Sequence, residues 1–224
     1  MIARVPTLHD VHRRLVGSYG AQTSWWPGRD DPFEVVIGAV LTQRASWTNA
    51  HRALERLRAA DALAATAIVA IDAIALGTLI RPAGCFRAKA AALKAFCARL
   101  DEAFGLDMQQ LLALETDELR AWLLSIRGIG DETADAILVY AAGRPSFVID
   151  AYTRRLIGRL GIADANASYR SLQQRFMEDL PADAELFAEA HALIVRHGQT
   201  HCRSRPACTG CPLQDVCTFE GRTL

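Results

Sequence analysis

The sequence has 224 residues and a formal net charge of zero, and 51% of its residues are hydrophobic. This length allows one large or two small domains with a buried core, and the composition argues against a disordered or fibrous chain. The neutral balance provides no overall attraction to a polyanion, so a nucleic-acid partner requires a local basic face. The longest apolar stretch, 62–80, contains Asp72 and Gly77, which disfavours a membrane span and hence a membrane partner.

Helical patterns follow one another along the chain. The first begins at Asp10, which can act as an N-cap, and ends at Gly20. The segment 32–60 is typical of two helices, and the second of them starts near Ser46. Further helices are predicted over 87–104, 116–126, 131–143, 150–160, 166–180 and 183–198. No segment alternates apolar and polar residues over the length of a strand, so we predict an all-α fold.

Basic residues are concentrated in two segments, although the whole chain is neutral. Residues 190–214 contain no Asp or Glu but include Arg196, Arg203 and Arg205. Residues 143–163 contain four arginines, and Asp150 is the single acidic residue among them. Separated charge of this kind can create one basic face on a neutral molecule. Arginine suits bidentate contact with phosphate, but arginine runs are also usual on a solvated surface.

Two glycines one residue apart separate two predicted helices in the segment Arg127-Gly128-Ile129-Gly130-Asp131. Glycine permits a positive φ angle and lets another backbone approach closely. The free N–H groups of such a turn, followed by the N-terminus of a helix, form a binding site for an anion. An ordinary corner between two helices is the alternative, because the spacing alone is common.

Four cysteines near the end of the chain have the spacing C-x5-C-x2-C-x5-C, at Cys202, Cys208, Cys211 and Cys217. Disulfides are not expected, because the N-terminus does not look like an export signal. A zinc site usually has two close cysteine pairs, whereas one close pair is flanked here by two single cysteines. This arrangement can wrap four thiolates around a cubane, so a [4Fe–4S] cluster is favoured over zinc.

These motifs occur together with others in a combination that resembles the endonuclease III superfamily of DNA glycosylases. The resemblance rests on GIGDETADAI (128–137), on the apolar run from Gly143-Arg144-Pro145 into Asp150, and on RHGQTHC with the following cysteines. GAVLTQRASWTN (38–49) extends it towards the front of the chain. Family members usually have six residues in the first cysteine gap, and this chain has five.

The resemblance implies an all-α fold with two lobes. One lobe, residues 24–144, is a six-helix barrel that carries the helix–hairpin–helix. The other lobe joins residues 1–23 to residues 145–224 and carries the cluster. Double-stranded DNA with a damaged base is the implied partner, and the target nucleotide is flipped into the cleft between the lobes. We expect a monomeric cytoplasmic protein associated with the nucleoid.

The same resemblance assigns roles to individual residues. Asp150 matches the catalytic carboxylate, and Gln43 matches the side chain that fills the gap left by the flipped base. The remaining expected DNA contacts are the hairpin residues, which hold a backbone phosphate, and two arginines of the cysteine loop: Arg127, Gly128, Ile129, Gly130, Arg203 and Arg205. For Asp150 an N-cap role is the plain structural alternative, and the two roles are compatible.

Glu132 limits the chemistry that this chain can perform. Bifunctional members of the superfamily have a lysine two residues after the second hairpin glycine, and that lysine attacks the sugar to form a Schiff base. A carboxylate cannot form an imine, and both lysines of the chain, Lys89 and Lys94, lie in a different segment. We therefore predict a monofunctional glycosylase, in which Asp150 stabilises the positive charge that develops on the sugar.

Trp25, Trp26 and Trp47 are candidates for a pocket that stacks the flipped base. Aromatic faces attract a cationic alkylated purine, and such a base leaves readily without help from a lysine. These tryptophans resemble the 3-methyladenine glycosylase branch of the superfamily, although each could also serve as core packing. Two other functions stay open: removal of oxidised pyrimidines or mismatched thymine with a weak lyase step, and damage binding without catalysis.

Overall fold

The computed structural model describes residues 5–22, 26 and 30–221. These residues form helices and no strand, which confirms the predicted all-α class. A short 3-10 turn, Arg81–Ala83, lies between the fifth and sixth helices. The α-helices are α1 (Leu8–Tyr19), α2 (Pro32–Leu41), α3 (Trp47–Ala59), α4 (Ala65–Ala70), α5 (Ala73–Leu79), α6 (Phe86–Phe104), α7 (Met108–Leu112), α8 (Thr116–Leu124), α9 (Asp131–Tyr140), α10 (Ala151–Leu160), α11 (Tyr169–Asp179) and α12 (Ala184–Thr200).

Side chains with an oxygen acceptor begin most of these helices. The predicted N-cap at Asp10 is wrong, because Thr7 caps α1. Thr7 accepts from the Asp10 N–H, and the Asp10 carboxylate accepts in return from Thr7. Ser46 caps α3 as predicted. The apolar stretch 62–80 is divided into α4 and α5, because the Asp72 carboxylate accepts from the N–H groups that start α5.

The chain divides into two compact units. One comprises Met1–Trp25 and Pro145–Leu224, and the other comprises Trp26–Arg144. The first unit contains α1 and α10–α12, and its core includes Phe147 stacked on Phe176. The second contains α2–α9, and its core includes the almost fully buried helix α2. The expected two-lobe arrangement and the barrel stay predictions. No helix in the described part of the chain is long and apolar enough to cross a membrane.

Candidate active site and nucleic-acid interface

The hairpin connects α8 to α9. The structure explains the presence of glycine differently at its two glycine positions. Gly128 has a φ angle of +99°, and a Cβ atom there would lie 2.7 Å from the Ala92 Cβ. Gly130 has a φ of −104°, and a Cβ there would meet nothing within 4 Å. Ile129 between them is buried, whereas Arg127 is exposed. Gly128 is therefore required by the fold, and Gly130 leaves open space beside the backbone.

The N-terminus of α9 has no capping side chain. Gly130 occupies the N-cap position and offers no acceptor to the first-turn N–H groups. An anion in the open space beside Gly130 could accept from these groups, and the helix dipole would favour it. The geometry is therefore compatible with the expected phosphate site, and the assignment of residues 127–130 to DNA stays a prediction.

Arg120 joins the two helices of the hairpin motif. Its Nε donates to Asp135 Oδ1 at 2.9 Å and its Nη2 donates to Asp131 Oδ1 at 2.6 Å. The Asp135 side chain is fully buried, and hydrogen bonding to it raises the pKa of Arg120, so the guanidinium stays charged. This ion pair links positions 15 residues apart and has no signature in the local sequence.

Gln43 is hydrogen-bonded to the hairpin. Its Nε2 donates to the Gly128 carbonyl oxygen at 2.9 Å and to the Thr133 hydroxyl at 3.0 Å. Gln43 itself is half-buried and lies just after the end of α2. The structure therefore brings together the predicted gap-filling residue and the predicted phosphate site, both of them within the second unit.

Both lysines of the chain are bound to backbone carbonyls. Lys89 is 2% exposed, and its Nζ donates to the carbonyls of Leu41 and Ala83 at 2.8 and 2.7 Å. Burial lowers the pKa of Lys89. Lys94 donates to three carbonyls at the end of α4, those of Ile68, Val69 and Ile71. Each amine therefore stabilises the C-terminus of a helix.

Asp150 is the N-cap of α10. Its Oδ1 accepts from the Thr153 N–H at 2.7 Å, and its Oδ2 lies 3.8 Å from Nε2 of His191 on α12. The side chain is 14% exposed. Burial acts to raise the pKa of Asp150, but His191 and the Thr153 N–H outweigh it, so the pKa lies below its ordinary value. Asp150 is therefore an ionised carboxylate in a largely buried setting, and sequence reasoning missed its partner His191.

Of the predicted base pocket, Trp26 and Trp47 are described, and Trp25 lies outside the described residues. Trp26 is 9% exposed and rests on α2, where a Cβ at Gly38 would lie 3.0 Å from its ring. The ring centroids of Trp47 and Tyr140 lie 5.5 and 4.8 Å from that of Trp26. The buried Trp26 N–H has no acceptor in the described part of the chain. The structure therefore brings two of the tryptophans together and adds Tyr140, which the sequence did not single out.

The four cysteines Cys202, Cys208, Cys211 and Cys217 line one cavity. No three or more His, Cys, Asp or Glu side chains of the described residues are arranged to hold a metal ion. Burial raises the pKa of Cys211, and the other three sulfurs raise it further. The four sulfurs therefore lie close enough to affect one another.

Nitrogen donors lie beside two of these sulfurs. The Arg159 Nη1 lies 3.4 Å from the Cys202 Sγ, and the His197 Nε2 lies 3.8 Å from the Cys211 Sγ. Burial lowers the pKa of His197 to about 4, so this ring is neutral near neutral pH. The Tyr19 hydroxyl lies 2.9 Å from Nδ1, and a bond donated to that atom leaves the ring proton on Nε2, facing sulfur.

The predicted basic faces are only partly realised. Arg203 and Arg205 are exposed on the cysteine loop. The arginines of α10 instead point to backbone carbonyls. Arg154 donates to Ala165 and Ala167, Arg155 donates to Cys202, and Arg159 donates to Arg203 and Ser204. These half-buried arginines therefore hold the cysteine loop and the α10–α11 connection, and their part in a basic face stays a prediction.

Comparison with known proteins places the chain among DNA repair enzymes. Residues 37–182 match the model of the "HhH-GPD superfamily base excision DNA repair protein" family. A Methanocaldococcus jannaschii protein, named as a candidate DNA repair glycosylase, is 42% identical over 94% of this chain and 95% of its own length.

Two solved structures are similar in fold. The H. pylori 3-methyladenine DNA glycosylase MagIII, bound to 1,N6-ethenoadenine, has a TM-score of 0.76 and 27% identity over 87% of this chain and 98% of its own. An endonuclease III in a non-covalent DNA complex has a TM-score of 0.81 at 24% identity, over 96% of this chain and 97% of its own.

Proposed function

Since the chain belongs to the HhH-GPD superfamily of base excision DNA repair proteins, we propose that it is a monofunctional DNA glycosylase that favours alkylated purines. It would hydrolyse the N-glycosidic bond of a damaged base that has been flipped out of double-stranded DNA. We further propose that it acts as a monomer, in the cytoplasm and at the nucleoid.

The monofunctional proposal rests on where the lysines of this chain lie and on what they bind. Position 132, two residues after Gly130, holds a glutamate instead of a lysine. Lys89 and Lys94 donate to two and three backbone carbonyls, respectively. To attack a sugar, either amine would have to leave these carbonyls, and Lys89 is in addition buried. Covalent attack on the sugar therefore has no lysine to perform it.

Asp150 supports hydrolysis without a covalent step. Breaking the N-glycosidic bond places positive charge on the deoxyribose, and an ionised carboxylate close to that charge lowers the barrier. A lowered pKa keeps Asp150 ionised throughout the neutral range. The same carboxylate would orient the attacking water, while the departing base takes the bonding electron pair.

The aromatic residues support a purine substrate. The ring centroids of Trp47 and Tyr140 both lie within 6 Å of that of Trp26. A positively charged alkylated purine stacked on such rings would gain roughly 0.5–2 kcal/mol from cation–π attraction. The buried Trp26 N–H is a donor that an acceptor atom of a purine would satisfy. A similar protein, MagIII, is named as a 3-methyladenine glycosylase.

Several exposed features would together bind DNA. The uncapped start of α9 would hold a backbone phosphate, together with the open space at Gly130 and the exposed Arg127. Gln43 would fill the gap left by the flipped base. Arg203 and Arg205 would contact further phosphates and make binding dependent on salt.

Cys202, Cys208, Cys211 and Cys217 would hold a [4Fe–4S] cluster. The spacing of one close cysteine pair between two single cysteines supports a cubane with one iron for each thiolate, and all four cysteines line the same cavity. The N–H groups of Arg159 and His197 supply the outer hydrogen bonds usual around such sulfurs. When bound, the cluster would mainly shape the loop that carries Arg203 and Arg205.

A substrate panel tests the activity. Purified protein is incubated with duplexes that carry 3-methyladenine, 7-methylguanine, thymine glycol or a T:G mismatch, and base release and strand scission are measured separately. Release of the alkylpurines without scission is expected. Release of thymine glycol or mismatched thymine alone would favour an endonuclease III-type enzyme. Tight binding to damaged DNA with no release would favour a damage-binding protein without catalysis.

Iron and acid-labile sulfide analysis tests the cofactor. About four irons and four sulfides per chain are expected for one cubane, with a visible thiolate-to-iron absorbance band. Cys211→Ser should remove this band, and Cys97→Ser serves as the control because Cys97 is a buried thiol of the other unit. One zinc per chain without iron would contradict the cluster.

A further inference from the structure

We propose that His191 is a positioning residue for the Asp150 carboxylate, holding its Oδ2 side and stabilising its negative charge. This inference rests on the proposed catalytic role of Asp150. Histidine 191 lies 41 positions further along the chain, in the middle of α12, and no motif in the sequence connects the two.

The geometry places a different group beside each carboxylate oxygen. The Thr153 N–H, from the first turn of α10, bonds to Oδ1 at 2.7 Å. The His191 Nε2, from the neighbouring helix α12, faces Oδ2 at 3.8 Å. This second distance is longer than a closed hydrogen bond, as is common for catalytic contacts before substrate binds. Groups from two helices thus flank the carboxylate, and closing the second contact would fix its plane, which a single cap bond leaves free to turn.

Burial makes the second donor necessary. The side chains of His191 and Asp150 are 9% and 14% exposed. A carboxylate removed from water favours its protonated form unless donors or positive charge compensate. A protonated Asp150 could not stabilise positive charge on the sugar, so losing the second group should narrow the pH range in which the chemistry is possible. His191 supplies either an N–H donor or, when protonated, a positive charge.

Four other ionisable groups lie on α12, and one of them, Glu185, is exposed in its first turn. Glu189 accepts from His12 at 2.9 Å, on the side towards α1. Arg196 donates to the Tyr19 carbonyl, and His197 faces Tyr19 and the cysteine cavity. Among the contacts described for these groups, that of His191 is the one that faces Asp150.

Two ionisable groups near the start of α10 belong to other contacts. The Tyr169 hydroxyl of α11 lies 3.4 Å from the Ile149 N–H. On α10 itself, Arg154 donates to the backbone carbonyls of Ala165 and Ala167. The effects that act on the Asp150 pKa come from burial, His191 and Thr153.

The primary test measures the Asp150 pKa directly and needs no substrate. Carboxyl carbon NMR is followed against pH in the full-length protein, and the Asp150 signal is identified by its loss in Asp150→Asn. In His191→Leu the pKa of Asp150 should rise by about one to two pH units. His12→Gln is the matched control, because it removes another histidine–carboxylate pair of α12, and it should leave the Asp150 pKa unchanged.

The second test measures base release in single turnover from a duplex that contains 7-methylguanine. His191→Leu should lose at least tenfold in rate at neutral pH because the ionised carboxylate is no longer held in place, and its acid limb should move to higher pH because the pKa rises. His191→Gln keeps an N–H donor and should recover part of the rate. His191→Asn, whose shorter amide does not reach Oδ2, should behave like His191→Leu and replaces it if that variant does not fold.

The outcomes separate this inference from the proposed function. An Asp150 pKa that is the same in the wild type, His191→Leu and His191→Asn would overturn the positioning role, whatever the enzyme releases. If the wild type releases no base from any duplex, the proposed function fails, and the NMR titration still decides whether His191 controls Asp150.

Discussion

The side-chain amide of Gln43 donates a hydrogen bond of 2.9 Å to the carbonyl oxygen of Gly128, across 85 positions of sequence. The same Nε2 atom donates to the Thr133 hydroxyl in the first turn of α9. Gln43 follows α2, whereas Gly128 and Thr133 belong to the hairpin motif. Gln43, which is predicted to enter the DNA, is thus positioned by the hairpin, which is predicted to bind the DNA backbone.

Replacing Gln43 should impair extrusion of a paired base more than it impairs folding. In Gln43→Ala we expect unfolding free energy within about 0.5 kcal/mol of wild type, because the side chain is half exposed and water can replace it. Base release should fall about tenfold or more for a lesion in a stable pair and less for a mispaired lesion, which is easier to flip. Single-turnover rates on both duplexes test this, with the exposed Gln109→Ala as control. Equal losses on the two duplexes would contradict a gap-filling role.

The hairpin glycines offer a matched pair of variants. Gly128→Ala combines a positive φ with a contact of 2.7 Å to Ala92, so it should destabilise the protein by about 2–4 kcal/mol. Gly130→Ala has room for its methyl group and should change stability by about 0.5 kcal/mol or less.

DNA affinity of these variants should show whether the hairpin binds phosphate or has only a structural role. If a phosphate approaches Gly130 closely, the methyl of Gly130→Ala occupies its place and weakens binding in a folded protein. Urea unfolding and a salt series of DNA titrations measure the two effects. Unchanged DNA affinity in Gly130→Ala would mean that this hairpin is only a corner between helices.

The parts of this fold that follow from the sequence are those decided within a few residues. Ser46 starts α3 because its hydroxyl accepts from an N–H three residues on. The apolar period of α3 determines which of its faces is buried, whereas α2 is apolar along its length and almost fully buried. The wrong N-cap prediction at Asp10 is also a local matter, because the residue that caps α1 is Thr7, three positions earlier.

The parts that could not be predicted depend on how distant elements pack. The arginines of α10 look like a polyanion surface in sequence, but neighbouring loops present backbone carbonyls to Arg154, Arg155 and Arg159. Likewise, nothing local to Lys89 indicates that it will bind the last carbonyl of α2, 48 positions earlier. A side chain's partner is a tertiary property, whereas its tendency to form a helix is a local one.

Asp150 should have two separable functions, as an N-cap and in catalysis. Asp150→Asn keeps an acceptor for the Thr153 N–H, whereas Asp150→Ala loses it and should cost about 1 kcal/mol of stability. Both variants should lose base release while they still bind damaged duplex. Urea unfolding, DNA titration and single-turnover kinetics distinguish these effects. Base release by Asp150→Asn at the wild-type rate would remove Asp150 from the mechanism.

The stability difference between wild type and Asp150→Asn should also depend on pH. The folded pKa of Asp150 lies below its ordinary value, so the ionised form stabilises the fold above that value. This contribution should be fully present at neutral pH and decrease as the pH falls through the folded pKa. Urea unfolding from pH 7 down to about pH 3 measures it, around the ordinary aspartate pKa of about 3.9.

Glu132 is the position at which a lyase activity should be recoverable. Glu132 is exposed in the first turn of α9, so Glu132→Lys should fold, at a cost of about 0.3–1 kcal/mol from the helix dipole. The same dipole lowers the pKa of a lysine there, which increases the fraction of neutral amine able to attack the sugar. We expect borohydride to trap a covalent DNA adduct with Glu132→Lys and to trap none with the wild type.

Glu118→Lys is the control for charge, because it adds the same side chain at an exposed position of α8. It should bind DNA about as tightly as Glu132→Lys and yield no adduct, since an amine forms an imine only where it reaches the sugar. An adduct with the wild type would show that another amine, such as the N-terminus, attacks the sugar. Failure of Glu132→Lys to form an adduct, with base release intact, would mean that the first turn of α9 does not face the deoxyribose.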